Sequence, residues 1–274
     1  MVLGVLLANA STLHGQTILI DNDFESVTIG SYSSGDAYGT APELGNASLQ
    51  QPSTVDQTAG VGGSAGITFN NGGVSSRSEH AVTIETSFDF YFKYGTDTRN
   101  DMFLVVGWSK LPTNSLFGGT SPTKDNSYYL GLERQNGANE LGFASGFGSG
   151  GSLLTGSPTF TLTNDDFYRF TGTIQYDSSG GEWLYTDLSL QNYGVNGTSA
   201  GAVLASGVDL SVDPGTDGSN IVSTGTAFFN LGANEPRGGN NFDNVLVSAV
   251  PEPTSVLLFA AGAGALLLRR QRRS

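Results

Sequence analysis

The clearest pattern in the chain is an alternation of apolar and polar side chains in the segment AVTIETSFDFYFKYG. Its apolar positions are Phe88, Phe90 and Phe92, and the positions between them are Asp89, Tyr91 and Lys93. Successive side chains of a strand point to opposite faces, so the pattern predicts a strand with one buried and one solvated face. Similar patterns predict strands over 101–108, 127–134, 140–144, 167–177, 182–190, 226–231 and 242–250.

The segments between these runs have the composition of turns. Residues 177–181, DSSGG, join two long alternating runs and predict a hairpin. The chain contains 39 Gly and only 14% charged residues, and we find no fixed-period repeat and no long amphipathic helix. We therefore predict an all-β fold, a single antiparallel β-sandwich of ten to fourteen strands. Two long polar segments, 30–66 and 193–221, are predicted to be loops at an edge of the sandwich, where binding sites tend to lie.

Charge and cysteine content exclude several functions. Residues 17–250 contain eight basic and twenty-four acidic residues, a net charge of −16. Recognition of phosphate depends on clustered Lys and Arg, so this body is not expected to bind nucleic acid. The chain has no cysteine, which excludes disulfides, thiolate zinc sites and cysteine nucleophiles. An acidic body suits solubility, divalent cations or a neutral, hydroxyl-rich ligand.

The first sixteen residues have the pattern of a signal peptide. An apolar run from Val2 to Ala8 is followed by small residues, with Ala8 and Ala10 in the A-x-A spacing of a cleavage site. A basic region before the apolar run is missing, so we expect Met1 to lie inside the true signal sequence. The alternative is a buried N-terminal strand or helix.

The last 24 residues form a distinct segment, 251–274. Thirteen uncharged residues, 256–268, are followed by a basic cluster of Arg269, Arg270, Arg272 and Arg273. As a short hydrophobic helix, 254–268 would span about 22 Å, less than the roughly 30 Å of a hydrocarbon core, so we expect only a marginal, transient anchor. The arginines would stop it on the cytoplasmic side. Just before it, Pro251, Glu252 and Pro253 predict an extended, exposed hinge.

These three elements, in this order at the extreme terminus, resemble the PEP-CTERM sorting signal of Gram-negative bacteria. The resemblance implies that Pro251, Glu252 and Pro253 are recognised by an exosortase-type processing enzyme, which cuts near them. It also implies an exported protein of the cell envelope, outer surface or extracellular matrix, of a kind associated with polysaccharide and biofilm. An ordinary tail anchor with a proline-rich hinge is the alternative.

The body, 17–250, resembles the concanavalin A-like lectin and glucanase jelly roll. The resemblance lies in the opening DNDFESVTIGSY, the hairpin FYRFTGTIQYDSSGGEWLYTDLSL and the closing strand NFDNVLV. An unrelated β-sandwich or a β-helix stays open as an alternative.

Calcium is the one cofactor for which the sequence offers ligands, although none is required. Asp21, Asp23 and Glu25 fall on one face of an extended segment, where three carboxylates repel unless they face water or share a cation. Asp243, between Asn241 and Asn244, is a second candidate, and the loop with Asp213 and Asp217 is a weaker third. The alternatives are a solvated edge strand and capped turns.

Catalytic signatures are sparse. The E-x-D-x-x-E string that would place two carboxylates on one strand is missing, and His80 has no G-x-S-x-G elbow to accompany it. We therefore expect a non-catalytic exported protein that has a structural role or adheres to polysaccharide. The alternative is a secreted hydrolase or lyase with an unrecognised carboxylate pair. The ligand-binding residues stay unknown; the aromatic candidates, most of them more suited to packing, are Tyr128, Tyr129, Tyr168, Trp183 and Tyr185.

Overall fold

The computed structural model describes residues 17–23, 47–50, 55–69, 72–76, 82–95, 102–110, 127–134, 140–147, 150–224, 227–233 and 241–249. Within these residues, fifteen strands form two antiparallel sheets. The first sheet contains β1 (Thr17–Asn22), β3 (Val55–Ala59), β4 (Ala65–Phe69), β6 (Thr86–Lys93), β11 (Phe167–Asp177), β12 (Glu182–Gly194), β13 (Val203–Val212) and β15 (Asn241–Ala249). The second contains β2 (Ala47–Gln50), β5 (Gly72–Ser76), β7 (Met102–Ser109), β8 (Ser127–Arg134), β9 (Leu141–Phe147), β10 (Gly150–Leu153) and β14 (Phe228–Ala233). A 3-10 turn, Val61–Gly63, and a short helix α1, Ser219–Thr224, complete the described elements.

Each sheet has a simple order of neighbours. The first sheet runs β13-β12-β11-β6-β15-β4-β3, and the second runs β10-β9-β8-β7-β14-β5-β2. On the side away from β6, β15 pairs first with β4 and then with β1, so that Thr17 lies opposite Ala249. The first and last described strands are therefore neighbours in one sheet.

The core lies between the two sheets and is rich in aromatic rings. Phe90 and Phe170 of the first sheet meet edge to face, with ring centroids 5.7 Å apart. Phe143 of the second sheet stacks on Phe170 at the same 5.7 Å distance. Aromatic pairs in these geometries stabilise a core beyond their buried area. Strand β6 alternates between buried and half-buried residues, which confirms the predicted phenylalanine face.

The predicted all-β antiparallel sandwich is confirmed, and β8 and β11 have the predicted bounds. Two predictions were wrong. The segment 30–66 contains β2, β3 and the first residues of β4, and 193–221 contains the ten-residue strand β13, so the described strands number fifteen. Strand β13 is at the edge of its sheet and buries only Ala205 and Leu210. Its solvated side chains hide the apolar alternation on which the prediction relied.

Several predicted features lie outside the described residues. They are the signal peptide 1–16, Glu25, His80, and the segment 251–274 with its hinge, hydrophobic helix and arginines. Among the helices that the structure does describe, none has the length and apolar character needed to cross a membrane.

Candidate functional site

The outward side of the first sheet carries a polar surface across its middle strands. Strand register sets Asp21, Leu246, Asp89, Thr171 and Ser189 in one row across β1, β15, β6, β11 and β12. A second row contains Tyr91, Arg169 and Gln191. Five strands at a spacing of about 4.8 Å span roughly 19 Å, enough for an extended ligand. We call this surface the polar face; it consists of Asp21, Asp23, Asp89, Tyr91, Arg169, Thr171, Ser189, Gln191, Tyr193, Asn244 and Leu246.

An ion pair lies at the centre of the polar face. The guanidinium of Arg169 donates from Nε to Asp89 Oδ1 at 2.8 Å and from Nη2 to Asp89 Oδ2 at 2.5 Å. The hydrogen bonds with Asp89 raise the pKa of Arg169 above its ordinary value. A two-point pair of this kind fixes the plane of the guanidinium as well as its charge. The remaining N–H groups of Arg169 are therefore held in a defined direction.

Two tyrosines give the polar face its aromatic component. The guanidinium carbon of Arg169 lies 5.9 Å from the centroid of the Tyr91 ring. The Tyr91 and Tyr193 rings meet edge to face, with centroids 5.1 Å apart. Burial, followed by the neighbouring Tyr193, raises the pKa of Tyr91, so the Tyr91 hydroxyl is protonated at neutral pH. The pair offers partly exposed ring surface beside hydrogen-bond donors.

Arg169 separates two shallow grooves. One, of about 340 Å³, lies toward β1 and β15, where Asp21, Asp23 and Asn244 line it. The other, of about 250 Å³, lies toward β12 and is lined by Arg169, Thr171, Ser189 and Gln191. The first groove is acidic and the second is uncharged except for Arg169. Together the two grooves form a surface with carboxylate acceptors on one side and amide and hydroxyl groups on the other.

The structure places the predicted calcium ligands in two different environments, one exposed and one buried. Asp21 and Asp23 line the same groove, as the alternation predicts, and both are exposed. Asp243 is buried: Oδ2 accepts from the Val61 N–H at 2.7 Å and from the Ser64 hydroxyl at 3.1 Å, and Oδ1 accepts from the Asn244 N–H at 2.7 Å. Across the part of the chain that the structure describes, no three His, Cys, Asp or Glu residues could hold one metal ion. Calcium binding stays a prediction.

The five aromatic residues considered from the sequence are core residues. Tyr128, Tyr129, Tyr168, Trp183 and Tyr185 are all 5% exposed or less. Sequence reasoning gave no site role to Arg169, Tyr91 or Tyr193. The signal for Tyr91 was present, because the alternation that buries Phe90 and Phe92 turns the residue between them outward.

The chain was compared with known protein sequences, solved structures and family motifs. No curated protein sequence matches the chain significantly. Among solved structures, the chain is similar to a PL-14 alginate lyase from Aplysia kurodai, with 11% identity, a TM-score of 0.46, and 82% of this chain and 100% of that chain covered. It is similar to peanut lectin, with 15% identity, a TM-score of 0.41 and 81% and 95% coverage. It is also similar to domain 4 of AbnA, an extracellular arabinanase from Geobacillus stearothermophilus, with 12% identity, a TM-score of 0.41 and 86% and 93% coverage.

The terminal segment gives a direct match. Residues 249–273 match the PEP-CTERM protein-sorting motif. The match contains the Pro-Glu-Pro hinge, the hydrophobic run and the four arginines on which the resemblance depended. The chain is therefore an exported protein with a PEP-CTERM sorting motif, which implies processing by an exosortase-type enzyme.

Proposed function

We propose that this protein is a non-catalytic protein of the cell surface or extracellular matrix, and that its polar face binds a polysaccharide. The observation that carries the proposal is the Arg169–Asp89 pair with Tyr91 and Tyr193 beside it. Sugar recognition needs ring surface for the apolar faces of the pyranose and a few fixed polar groups for its hydroxyls. The polar face supplies both.

The charge of the body limits the ligand class. The body is strongly acidic, and Asp21, Asp23 and Asp89 lie in one groove. An anionic polysaccharide would be repelled by this field, whereas a neutral glycan would not. Its hydroxyls could donate to the exposed carboxylates and accept from Arg169 and Gln191. We therefore expect a neutral polysaccharide as the ligand.

The hydrogen bonding of Asp89, the carboxylate at the centre of the polar face, supports binding without cleavage. Both oxygens of Asp89 accept hydrogen bonds from Arg169. A carboxylate in a two-point pair with a guanidinium has both oxygens directed at that partner and not at a bound chain. The polar face thus lacks an obvious general acid at its centre, where a bound chain would cross.

A hydrolase or lyase is the second candidate, and one observation favours it. Asp21 and Asp23 lie two residues apart on one side of an extended segment, in the same groove. Such positions are about 6.6 Å apart along a strand, within the range of carboxyl separations that glycosidases use. If this pair were catalytic, Asp21→Asn or Asp23→Asn would abolish product release from a glycan that the protein still binds.

The binding proposal is tested with a glycan array, followed by titration of the selected neutral glycan into the protein. We expect the double variant Tyr91→Ala, Tyr193→Ala to bind at least tenfold more weakly, and Gln191→Ala to bind severalfold more weakly. Gln175→Ala is the matched control, because Gln175 is a half-buried residue of β11 that does not line either groove. Unchanged affinity in the double variant would refute the proposal. Soluble products from the same mixtures would favour the enzyme.

The sorting proposal is tested separately. Replacement of Pro251, Glu252 and Pro253 by alanine should leave the uncut protein in the inner membrane of a host that contains an exosortase. Fractionation and the mass of the protein give the result. Normal surface delivery of that variant would contradict recognition of the hinge.

Calcium at Asp21, Asp23 and Glu25 is tested by thermal unfolding with calcium and with a chelator. A site that binds only the folded state raises the melting temperature as the ion concentration increases. An identical melting temperature in both conditions would contradict calcium binding at these residues.

A further inference from the structure

A second cavity lies away from the polar face, where the edge strands of the two sheets face each other. It has a volume of about 300 Å³, and its walls come from β8, β9, β10, the end of β13 and the loop after β13. Small-molecule sites commonly start at this size. We call it the seam pocket and define it by Tyr128, Ser145, Ser152, Ser211, Asp213 and Asp217.

The inner wall of the seam pocket contains two hydroxyl groups, those of Tyr128 and Ser145, beside the buried Leu154. The Tyr128 hydroxyl and Ser145 Oγ lie 3.2 Å apart in a hydrogen bond, and both side chains are only 5% exposed. The Tyr128 ring stacks on Trp183 of the opposite sheet, with centroids 5.5 Å apart and an interplanar angle of 15°. This stack fixes the ring, so the hydroxyl pair has a fixed position at the base of the pocket.

The outer wall is acidic. Asp213 and Asp217 are its two charged residues, and no Lys, Arg or His is among the described residues that line the pocket. The loop is held in place: Asp213 Oδ1 accepts from the Gly215 N–H at 2.8 Å, and Gly218 has a φ of 71°. A Cβ atom at Gly218 would lie 3.2 Å from Tyr128 Cβ, so the loop packs closely on this tyrosine. Burial chiefly, and then the two aspartates, raise the pKa of Tyr128.

A buried group behind the pocket lacks a hydrogen-bond partner. Tyr185 is 1% exposed, and its hydroxyl makes no hydrogen bond of acceptable geometry. It lies close to the same pair: burial raises its pKa, Tyr128 adds to the increase, and the nearby Ser145 hydroxyl opposes it. A serine hydroxyl has one proton and two lone pairs, so Ser145 Oγ can bond to Tyr128 and still accept from a second hydroxyl.

We propose that the seam pocket binds an amino sugar, with its ammonium group between Asp213 and Asp217 and its hydroxyls on the Tyr128–Ser145 pair. Two carboxylates with no basic side chain among the described lining residues favour a cation, and charge-assisted hydrogen bonds to an ammonium are stronger than neutral ones. The hydroxyl wall favours a polyol over a simple amine. This site is independent of the polar face and of the neutral glycan proposed there.

The test separates the two halves of the ligand. Glucosamine and galactosamine carry both the ammonium and the hydroxyls, glucose carries only hydroxyls, and cyclohexylamine carries only the ammonium. We expect titration calorimetry of the full-length protein to give at least fivefold tighter binding for one of the amino sugars than for glucose or cyclohexylamine. Glucuronate should not bind, because its carboxylate would face Asp213 and Asp217. Lack of amino sugar binding, or equal affinity for cyclohexylamine, would overturn the proposal.

Variants locate the binding. Asp213→Asn and Asp217→Asn should each weaken amino sugar binding at least tenfold. Asp209→Asn is the matched control, because Asp209 lies on β13 but does not line the pocket. Equal weakening in the control would assign the effect to net charge and overturn the site. Should an Asp217 variant fail to fold, Ser211→Val in the folded protein still tests the wall and should weaken binding severalfold; unchanged affinity would count against the site. The Tyr91→Ala, Tyr193→Ala variant should retain amino sugar binding, which keeps a failure at the polar face distinct from a failure here.

Discussion

The two sheets differ in their outward faces. Strand β6 of the first sheet alternates between buried and half-buried residues, and its outward residues Asp89 and Tyr91 contact Arg169 of β11 in an open polar network. Strand β7 of the second sheet is buried along its whole length. Its outward residues Met102 and Val105 belong to a second apolar cluster with Tyr129 and Ala144. One sheet is therefore available to a ligand on its outer side, whereas the middle of the other is covered.

The outer side of the second sheet is closely packed because glycines on two of its strands leave room for the Met102 side chain. Met102 lies over Gly131 of β8 and Gly151 of β10. A Cβ atom at Gly131 would be 2.9 Å from Met102 Sδ, and one at Gly151 would be 2.6 Å from it. Glycine in a strand gives room for the close approach of a neighbouring side chain. The first sheet has polar groups at its corresponding outward positions, and these keep its outer side hydrated.

The largest loss of stability is expected when a side chain is removed from the outer apolar cluster of the second sheet. Met102→Ala should lower the free energy of unfolding by about 2–5 kcal/mol, because it removes a buried side chain and leaves a cavity. Tyr91→Ala, at an outward position of the first sheet, should lower it by less than about 1 kcal/mol. Urea unfolding of both variants measures the contrast. Similar losses would show that the two outward faces are equally packed.

The second-largest loss of stability is expected at Asp243, where the turn at Val61 packs on β15 of the first sheet. Asp243 is buried and accepts from two backbone N–H groups and the Ser64 hydroxyl, so it fastens the turn at Val61 to β15. Asp243→Ala should lower the free energy of unfolding by about 2–4 kcal/mol, because buried donors lose a charged acceptor. Asp21→Ala, in the open groove, is the matched variant and should have little effect on stability. A stable Asp243→Ala protein would mean that water replaces the carboxylate.

A smaller effect is expected at the seam between the sheets. Burial raises the pKa of Tyr185 well above 10.0. Above pH 10 the unfolded chain therefore loses this proton while the folded protein keeps it, and stability falls as the pH rises. Tyr185→Phe removes this contribution, so its unfolding free energy should fall less than that of the native protein between pH 8 and pH 10.5. At pH 8 we expect the variant to be about 1 kcal/mol more stable, because a buried hydroxyl without a partner is removed.

The smallest effect is expected in the exposed hairpin between β11 and β12. The Ser179 hydroxyl and N–H donate to Asp177 at 2.7 and 2.8 Å, and they lower the pKa of Asp177. The contribution of Asp177 to folding stability is present above its ordinary pKa of about 3.8. It is lost as the pH falls toward the lower pKa of the folded state. Asp177→Asn should therefore slightly reduce the drop in melting temperature between pH 5 and pH 3. An unchanged drop would show that the hairpin bonds add nothing to stability.

The sequence could predict the strands that bury one regular face. The alternation in β6 and the DSSGG hairpin depend on neighbours in sequence, and both are present in the structure. Strand β5, GGVSS, has one apolar residue with a large side chain, so only its pairing with β14 and β2 defines it. Local pattern cannot show pairing of this kind, because the hydrogen bonds join residues distant in the chain.

The same limit applies to the site. Asp21 and Asp23 were predicted together because two-residue spacing on a strand is local information. Arg169 and Asp89 are 80 residues apart, and their contact depends on the register between β11 and β6. Asp243 was considered as a metal ligand, yet its oxygen accepts from Val61, 182 residues away. In each case the missing information was the partner that the fold brings to the side chain.

The pairing of β1 with β15 places the last described residue of the body beside the first strand. Ala249, the last described residue of β15, lies opposite Thr17, and the groove residues Asp21 and Asp23 lie at the far end of β1. Asp23 directly follows β1 and is six residue steps from Thr17, a distance of about 20 Å along an extended chain. The acidic groove therefore lies about one strand length from Ala249, the residue at which the sorting motif begins.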